Sequence, residues 1–305
     1  MVMELRQLEY LVAVADEANF TRAAARLHVA QPGVSAQIRR LERELGQDLL
    51  DRSGRSVRPT EAGDAVLPYA RAAMAAVDGL RSVVGELTGL LRGRVAMGMI
   101  TGCSSLDLAR LLAEFHRDHP GVEITLTEGN SDQLVQSLRE GRLDLAWVGL
   151  AGPTPPDLAT QVIVDEPLVA AVSHDDPLAA RTGITVSALA RHPLISLPRG
   201  TGLRSASDAA FGSLGLQPRI AFEAMSPELL VQLASQGLGV ALLPESVAMA
   251  AKREVHPLVI TRPRPTSRLD LAWRAEGPIS SAARALIAHA RAVLAEVTAE
   301  SSADR

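Results

Sequence analysis

Residues 21–45 read TRAAARLHVAQPGVSAQIRRLEREL. Ala23, Ala24 and Leu27 recur at the spacing of one helical face. Thr21, ahead of them, is placed to cap that helix by accepting a backbone N–H. Pro32 falls in the first turn of a second helix, where its missing N–H costs nothing. In that helix Val34, Ile38, Leu41 and Leu45 form one apolar stripe. The remaining positions hold Gln31, Ser35, Ala36, Gln37, Arg39, Arg40 and Arg43. A helix buried on one side and offering Gln, Ser and Arg on the other suits a DNA major groove. Small polar side chains reach base edges there, and arginines hold phosphates. The same periodicity suits an ordinary solvated hairpin, so the pattern alone leaves both readings open.

The wording of residues 20–52, FTRAAARLHVAQPGVSAQIRRLERELGQDLLDR, goes further. It resembles the winged helix-turn-helix signature of LysR-type transcriptional regulators. Phe20, Ala23, Ala24, Leu27, Gln31, Pro32, Ser35, Ile38, Leu41, Glu42, Leu45, Gly46, Leu49 and Arg52 fall where that family has them. Three positions depart. Ala30 stands where Ser or Thr is usual, removing an N-cap hydroxyl worth ~1 kcal/mol. Ala36 stands where Arg is common, and Leu50 where Phe is common. Helix face and resemblance together assign DNA contact to Thr21, Arg22, Gln31, Pro32, Ser35, Ala36, Arg39, Arg40, Arg43 and Arg52. Ser53-Gly54 marks a turn between two short strands, the wing, and Arg55 at its tip is expected on a phosphate.

The 305 residues suffice for two domains and a large core. Net charge is −4, but the 13 arginines of residues 1–94 stand against 12 acidic side chains, so the N-terminal part is not acidic. A local basic face supplies phosphate contacts regardless of the total. Cys103 is the one cysteine, which excludes an intrachain disulfide; a buried filler suits it better than a redox sensor, which wants a resolving partner. No signal-peptide pattern opens the sequence and no run of apolar residues is long enough to span a bilayer, so a cytoplasmic protein without membrane contact is expected. Phosphate-loop, zinc and nucleophile-elbow motifs are lacking, which argues against an enzyme and against a cofactor. His116 and His119 have no third ligand in reach by sequence, so no metal is expected.

Glu4 to Ala18 reads as a first helix with Leu5, Leu8, Leu11, Val12 and Ala15 inward. From Glu61 to Leu91, Ala62, Val66, Tyr69, Ala73, Ala76, Leu80, Val83, Leu87 and Leu90 alternate at four and three. That is a coiled-coil seam, read as a dimerisation helix with Val66, Tyr69, Ala73, Ala76, Leu80, Val83 and Leu87 at the contact. Pro68 inside it should kink or weaken a turn.

Beyond Arg94, strands and helices alternate, as in parallel sheets with covering helices. SDQLVQSLREG (131–141) is echoed by SPELLVQLASQG (226–237), each a helix with a capping Ser and a terminal Gly that feeds an apolar strand. Two similar α/β lobes with a cleft between them follow. The resemblance implies the family's effector domain, akin to periplasmic solute-binding proteins. The division expected is a winged helix-turn-helix over 1–60, a linker helix over 61–91 and an effector domain over 94–305. Its first lobe takes 94–162 and 269–305, and its second 163–268.

Ligands of open α/β sheets sit beyond the carboxyl ends of strands, against helix N-termini. TGCSS (101–105), GNS (129–131), RGTGLR (199–204) and AMS (224–226) occupy such places. The candidate effector residues are therefore Thr101, Ser104, Ser105, Asn130, Ser131, Thr201, Gly202, Leu203, Arg204 and Ser226. Neutral donors with a guanidinium from Arg199 or Arg204 favour a small anionic effector. Aromatic content is low, so a large flat ligand would gain little stacking; Trp147 is the aromatic considered for the cleft.

The fold expected is thus α/β behind a winged helix-turn-helix and linker helix. The function expected is ligand-responsive transcriptional regulation, with double-stranded DNA, a small effector, a second or fourth copy of the chain, and RNA polymerase as partners. A solute-binding or catalytic α/β protein with an N-terminal interaction module is the alternative; it would act without DNA. A ligand-blind architectural DNA binder is a third reading, separable by whether small molecules change the footprint.

Overall fold

The computed structural model describes all residues except 1–2, 55, 88–90, 102–107, 278 and 304–305. Arg55, Cys103, Ser104 and Ser105 therefore lie outside the described residues. So do the side chains of Val83, Leu87 and Leu90.

Helices α1 (Leu5–Glu17), α2 (Phe20–Arg26) and α3 (Gln31–Leu45) pack into a head. Strands β1 (Leu50–Asp51) and β2 (Arg58–Pro59) pair antiparallel as the wing. The head's core joins Leu8, Leu11 and Val14 of α1 to Ala23 and Ala24 of α2 and to Val34, Ile38 and Leu41 of α3. Two edges of the expected pattern differ. Leu5 and Leu45 are exposed, since each lies one turn beyond the region its neighbours cover, while Tyr10, Ala13 and Val14 are buried instead. The cap also differs: Asn19, not Thr21, accepts the N–H groups of Thr21 and Arg22. The helix starts at Phe20, two residues earlier than a Thr21 cap implied, so Thr21 is already inside it. At α3 the N-cap is Ala30, with no side-chain bond, and Pro32 sits in the first turn.

The long helix α4 (Glu61–Leu87) runs through Pro68 without a break. Its expected seam splits. Val66 and Ala73 lean on the head core beside Leu67 and Ala70, which are buried there. Tyr69, Ala76 and Leu80 point outward, Tyr69 at 79% and Leu80 at 71% exposure. The lower part of the helix therefore serves its own head on one side and leaves an apolar stripe on the other.

The second domain begins with β3 (Arg92–Ile100), α5 (Leu108–Asp118), β4 (Gly121–Gly129), α6 (Ser131–Arg139) and β5 (Leu145–Leu150). The long β6 (Leu158–Val172) follows, then β7 (Gly183–Thr185), α7 (Val186–Leu189), β8 (Leu194–Ser196), α8 (Gly202–Gly212) and β9 (Ile220–Glu223). The chain closes with α9 (Pro227–Ser235), β10 (Val240–Pro244), α10 (Glu245–Ala250), β11 (His256–Thr261), β12 (Thr266–Arg274) and α11 (Ser281–Ala303). Among the described residues the strand path is β4-β3-β5-β12-β6-β10-β8-β9, with β11 and β7 branching from β6.

The sheet is mixed rather than parallel. β12 is antiparallel to β5 and β6, and β6 is antiparallel to β10 and β11. The first half of β6, Leu158 to Pro167, pairs with β12 over the core of the first lobe; Leu168 to Val172 pairs with β10 and β11 in the second. That first half, with β7, α10 and β11, went unread in the sequence. Residues 159–167 are mostly half-buried on both faces, so no period-2 alternation marks them.

The lobes touch where β5 meets α8. A Cβ at Gly202 would lie 2.4 Å from the carbonyl carbon of Gly149 and 2.6 Å from its Cα. A Cβ at Gly149 would lie 3.2 Å from the Gly202 Cα, so the approach requires glycine at 202 and leaves little room at 149. Beside it the Asp132 N–H donates to the Gly200 carbonyl at 3.0 Å. Gly202→Val should therefore push backbone against backbone and destabilise by about 1–3 kcal/mol. Gly212→Ala in the same helix, with open space around it, should be neutral or stabilising by about 0.5–1 kcal/mol. Thermal denaturation of the two variants checks this; equal melting points would contradict the contact.

Candidate functional site

On α3 the side chains of Pro32, Ala36, Arg39 and Arg43 form the exposed face, with Gln31 and Ser35 half-buried at its start. Arg39 Nη2 donates to Ser35 Oγ at 3.1 Å, and Arg43 Nε donates to the Arg39 carbonyl. Both long side chains thus lie along the helix with their guanidinium groups at the surface. Thr21 and Arg22 are exposed on α2, where Arg22 meets the carbonyl and carboxylate of Glu17. Arg40 turns the other way, to Glu4 ahead of α1 at 3.2 Å, and Gln37 accepts from Gln7 of α1. These two belong to the head's internal packing rather than to the exposed face.

Arg52 is also engaged internally. Its Nη2 lies 2.6 Å from Glu42 Oε2, and its guanidinium sits over the Phe20 ring at 5.4 Å. Glu42, itself buried, accepts from the Leu49 and Leu50 N–H groups at 3.1 and 3.3 Å. One carboxylate therefore ties recognition helix, wing and α2 together. In the sequence Glu42 stood only as one of the positions shared with the family signature.

Between the lobes lies a cavity of about 800 Å³, a size that suits a small molecule. Thr101, Asn130, Ser131, Thr201, Gly202 and Leu203 line it as expected from sequence. Asn130, not Ser131, caps α6, and Ser131 Oγ instead accepts the Gly149 N–H at 3.1 Å. Thr201 and Ser226 cap α8 and α9.

Arg204 does not line the cavity among the described residues. Its side chain is 6% exposed and directed to Asp208, at 2.9 Å, Glu223 and the Leu197 carbonyl. Burial opposes its charge, but the bonds to Glu223 and Asp208 outweigh that and hold its pKa above the ordinary value. The expected guanidinium clamp on an anion is thus spent inside the second lobe, Arg199 is exposed, and Ser226 is turned to Glu228. Trp147 lies in the core of the first lobe, so no aromatic ring lines the cavity among the described residues.

Sequence reading missed the opposite wall: Glu166, Glu228, Val231, Val247, Glu254 and Arg268. Several come from α10 and the strand crossings that the sequence pattern did not mark. Arg268 Nε donates to the buried Asp270 at 2.8 Å and its Nη2 to Thr154. Burial raises the Asp270 pKa and Arg268 partly offsets this. Among the described residues no group of three or more potential metal ligands occurs. No helix among them is long and apolar enough to cross a membrane.

A helix-turn-helix head joined by a long helix to a two-lobed domain with a small-molecule cavity is the plan of a ligand-responsive transcription factor. Residues 5–64 match the family described as bacterial regulatory helix-turn-helix protein, lysR family, and residues 88–295 match the LysR substrate binding domain. The chain belongs to the LysR family of transcriptional regulators, DNA-binding proteins that are not enzymes. It is 35% identical to the HTH-type transcriptional regulator YnfL of Escherichia coli (strain K12) over 93% of this chain and 96% of that one. It is 32% identical to the DNA-binding transcriptional dual regulator OxyR of the same organism over 92% of each. Among solved structures, full-length OxyR from Pseudomonas aeruginosa superposes with a TM-score of 0.75 at 27% identity, covering 95% of both chains. CbnR complexed with its target DNA gives 0.58 at 26% identity over 95% of this chain and 99% of that one.

Glu42→Ala would strand two buried N–H groups and the Arg52 charge. It should lower the stability of the head by about 2–3 kcal/mol, read as a lower thermal midpoint together with weaker DNA binding. An unchanged midpoint would mean that the wing docks without this carboxylate.

Proposed function

We propose that this chain is an effector-responsive regulator in which α3 reads DNA sequence and the inter-lobe cavity senses the effector. Gln31 and Ser35 take the base edges, with Pro32 and Ala36 packed beside them. Arg39 and Arg43 hold phosphates, as do Thr21 and Arg22 at the start of α2 and Arg55 in the wing; Arg40 and Arg52 act by positioning the recognition helix and the wing. The likeness to CbnR, solved with its target DNA, supports this placement of α3. The exposed stripe of Tyr69, Ala76 and Leu80 meets a second copy, so that two heads face successive major grooves. The division at 1–60, 61–91 and 94–305, with 163–268 as the inserted lobe, follows the same reading. A relative from Pectobacterium carotovorum is named a hydrogen peroxide-inducible genes activator; with Cys103 as the one cysteine, this chain cannot form an intrachain disulfide, and a bound small molecule is the better signal.

One observation carries the coupling. Helix α6 has its N-terminal residues in the cavity, and its C-terminal end is held by Arg71 of α4, whose Nη1 donates to the Glu140 carbonyl at 3.0 Å. The other arm of Arg71, Nη2, reaches Asp16 of α1 at 2.6 Å. This side chain is 10% exposed. A nine-residue helix is a rigid rod of about 13 Å, so a shift at Asn130 arrives at Arg71, and from there at α1 and the head. Ligand must bind the two lobe arrangements unequally to drive this.

Arg39→Ala should weaken binding almost uniformly across operator variants and reduce the salt slope by about one; a loss confined to one base position would assign Arg39 to a base instead. Arg71→Ala should separate the melting of head and effector domain in calorimetry, and Arg71→Lys should restore part of the coupling. A thermogram unchanged by Arg71→Ala would remove the junction from the mechanism.

A further inference from the structure

We propose that the inter-lobe cavity takes an amphipathic organic cation: a compact apolar body carrying an ammonium or guanidinium group. The inference rests on reading that cavity as the effector site and names the chemical class of its ligand.

The charge in the wall points this way. Three carboxylates, Glu166, Glu228 and Glu254, line the cavity among the described residues, against one cation, Arg268. That guanidinium is already neutralised by the buried Asp270 at 2.8 Å and spends a second nitrogen on Thr154. Helix N-termini, the other means of holding an anion, are partly engaged within the protein. The Asp132 N–H serves the Gly200 carbonyl, and the Gln133, Arg204 and Leu229 N–H groups serve the caps Asn130, Thr201 and Ser226.

The carboxylates, by contrast, keep accepting capacity. Glu166 is anchored, one oxygen on the Ser246 N–H at 2.6 Å and the other on its hydroxyl at 2.8 Å. Glu228 Oε2 accepts from Ser226 Oγ at 2.6 Å. Each carboxylate offers about four lone-pair sites, so both can still meet an ammonium. Glu228 and Glu254 are exposed, one on α9 and the other just beyond α10. Between them Val231, Val247, Ala250 and Ala251 contribute an apolar wall. With no aromatic ring in the lining among the described residues, the body gains by alkyl packing rather than by stacking or cation–π contact.

The test uses the full-length protein and three matched series: linear alkylamines from butylamine to octylamine, carboxylates and alcohols of the same chain lengths. Binding is read by thermal shift, and the response by fluorescence anisotropy of a DNA site that the protein has selected. Amines should raise the melting temperature, more so with chain length, while carboxylates and alcohols leave it unmoved. The Glu228→Gln/Glu254→Gln variant, both positions exposed, should fold with an unchanged midpoint and bind the amines about tenfold more weakly. Carboxylate binding with an altered DNA complex would overturn the cation assignment and keep the effector reading. Amine binding lost in the variant, with the DNA complex unaltered by any compound, would keep the cation site and overturn the effector reading. No shift with any series, or equal amine affinity in wild type and variant, overturns the proposal.

Discussion

The antiparallel pairing of β6 with β12 is the interaction on which the second domain depends. Nine registered pairs run from Leu158 opposite Arg274 to Pro167 opposite Thr266, with one register shift between Leu269 and Asp270. Within one residue of Pro167, β6 leaves β12 and takes β10 and β11 as neighbours. These crossings hold the lobes side by side with the starts of α6, α8 and α9 turned toward one cavity. Glu166, Ser267 and Arg268, which line that cavity, stand on the crossing strands themselves. Any change in lobe angle must therefore be absorbed there, or at the Gly149–Gly202 approach on the other side.

Arginine does most of the tying. Thirty of the 31 basic residues are Arg, and the planar fork lets one side chain bridge two elements. Arg52 joins wing to recognition helix, Arg71 joins α1 to α6, Arg204 binds two carboxylates, and Arg274 holds the carbonyls of Leu138 and Leu143. Sequence reading gave Arg52 and Arg204 to DNA and ligand. In the structure Arg52 meets Glu42, and Arg204 meets Asp208, Glu223 and the Leu197 carbonyl, partners four to nineteen residues away that spacing alone does not single out.

The head was legible because its core repeats at short range: Val34, Ile38 and Leu41 lie on one helix and face their neighbours within forty residues. The helix-strand alternation of the second domain was legible for the same reason. Caps were less so. Asn19 and Thr21 are both competent N-caps, and the choice turned on a helix start two residues earlier than a Thr21 cap implied. The seam of α4 was legible as apolar but not as divided, since Val66 and Tyr69 differ only in which partner lies opposite. Of the cavity, the residues at helix starts were found and the α9–α10 wall was not. Its carboxylates Glu228 and Glu254 read as solvated surface, and only the β6–β12 crossing brings Glu166 to the same cavity, which is why an anion was the expectation from sequence and a cation is proposed for the assembled wall.

The most direct measurement is selection of bound DNA from a random-sequence pool by the full-length protein, followed by sequencing. A paired set of recognition helices yields two related half-sites arranged as a dyad, their centres about one helical turn or a whole multiple of it apart. A pool with no enriched word, or with isolated half-sites and no dyad, would contradict a sequence-reading dimer built on α3 and α4.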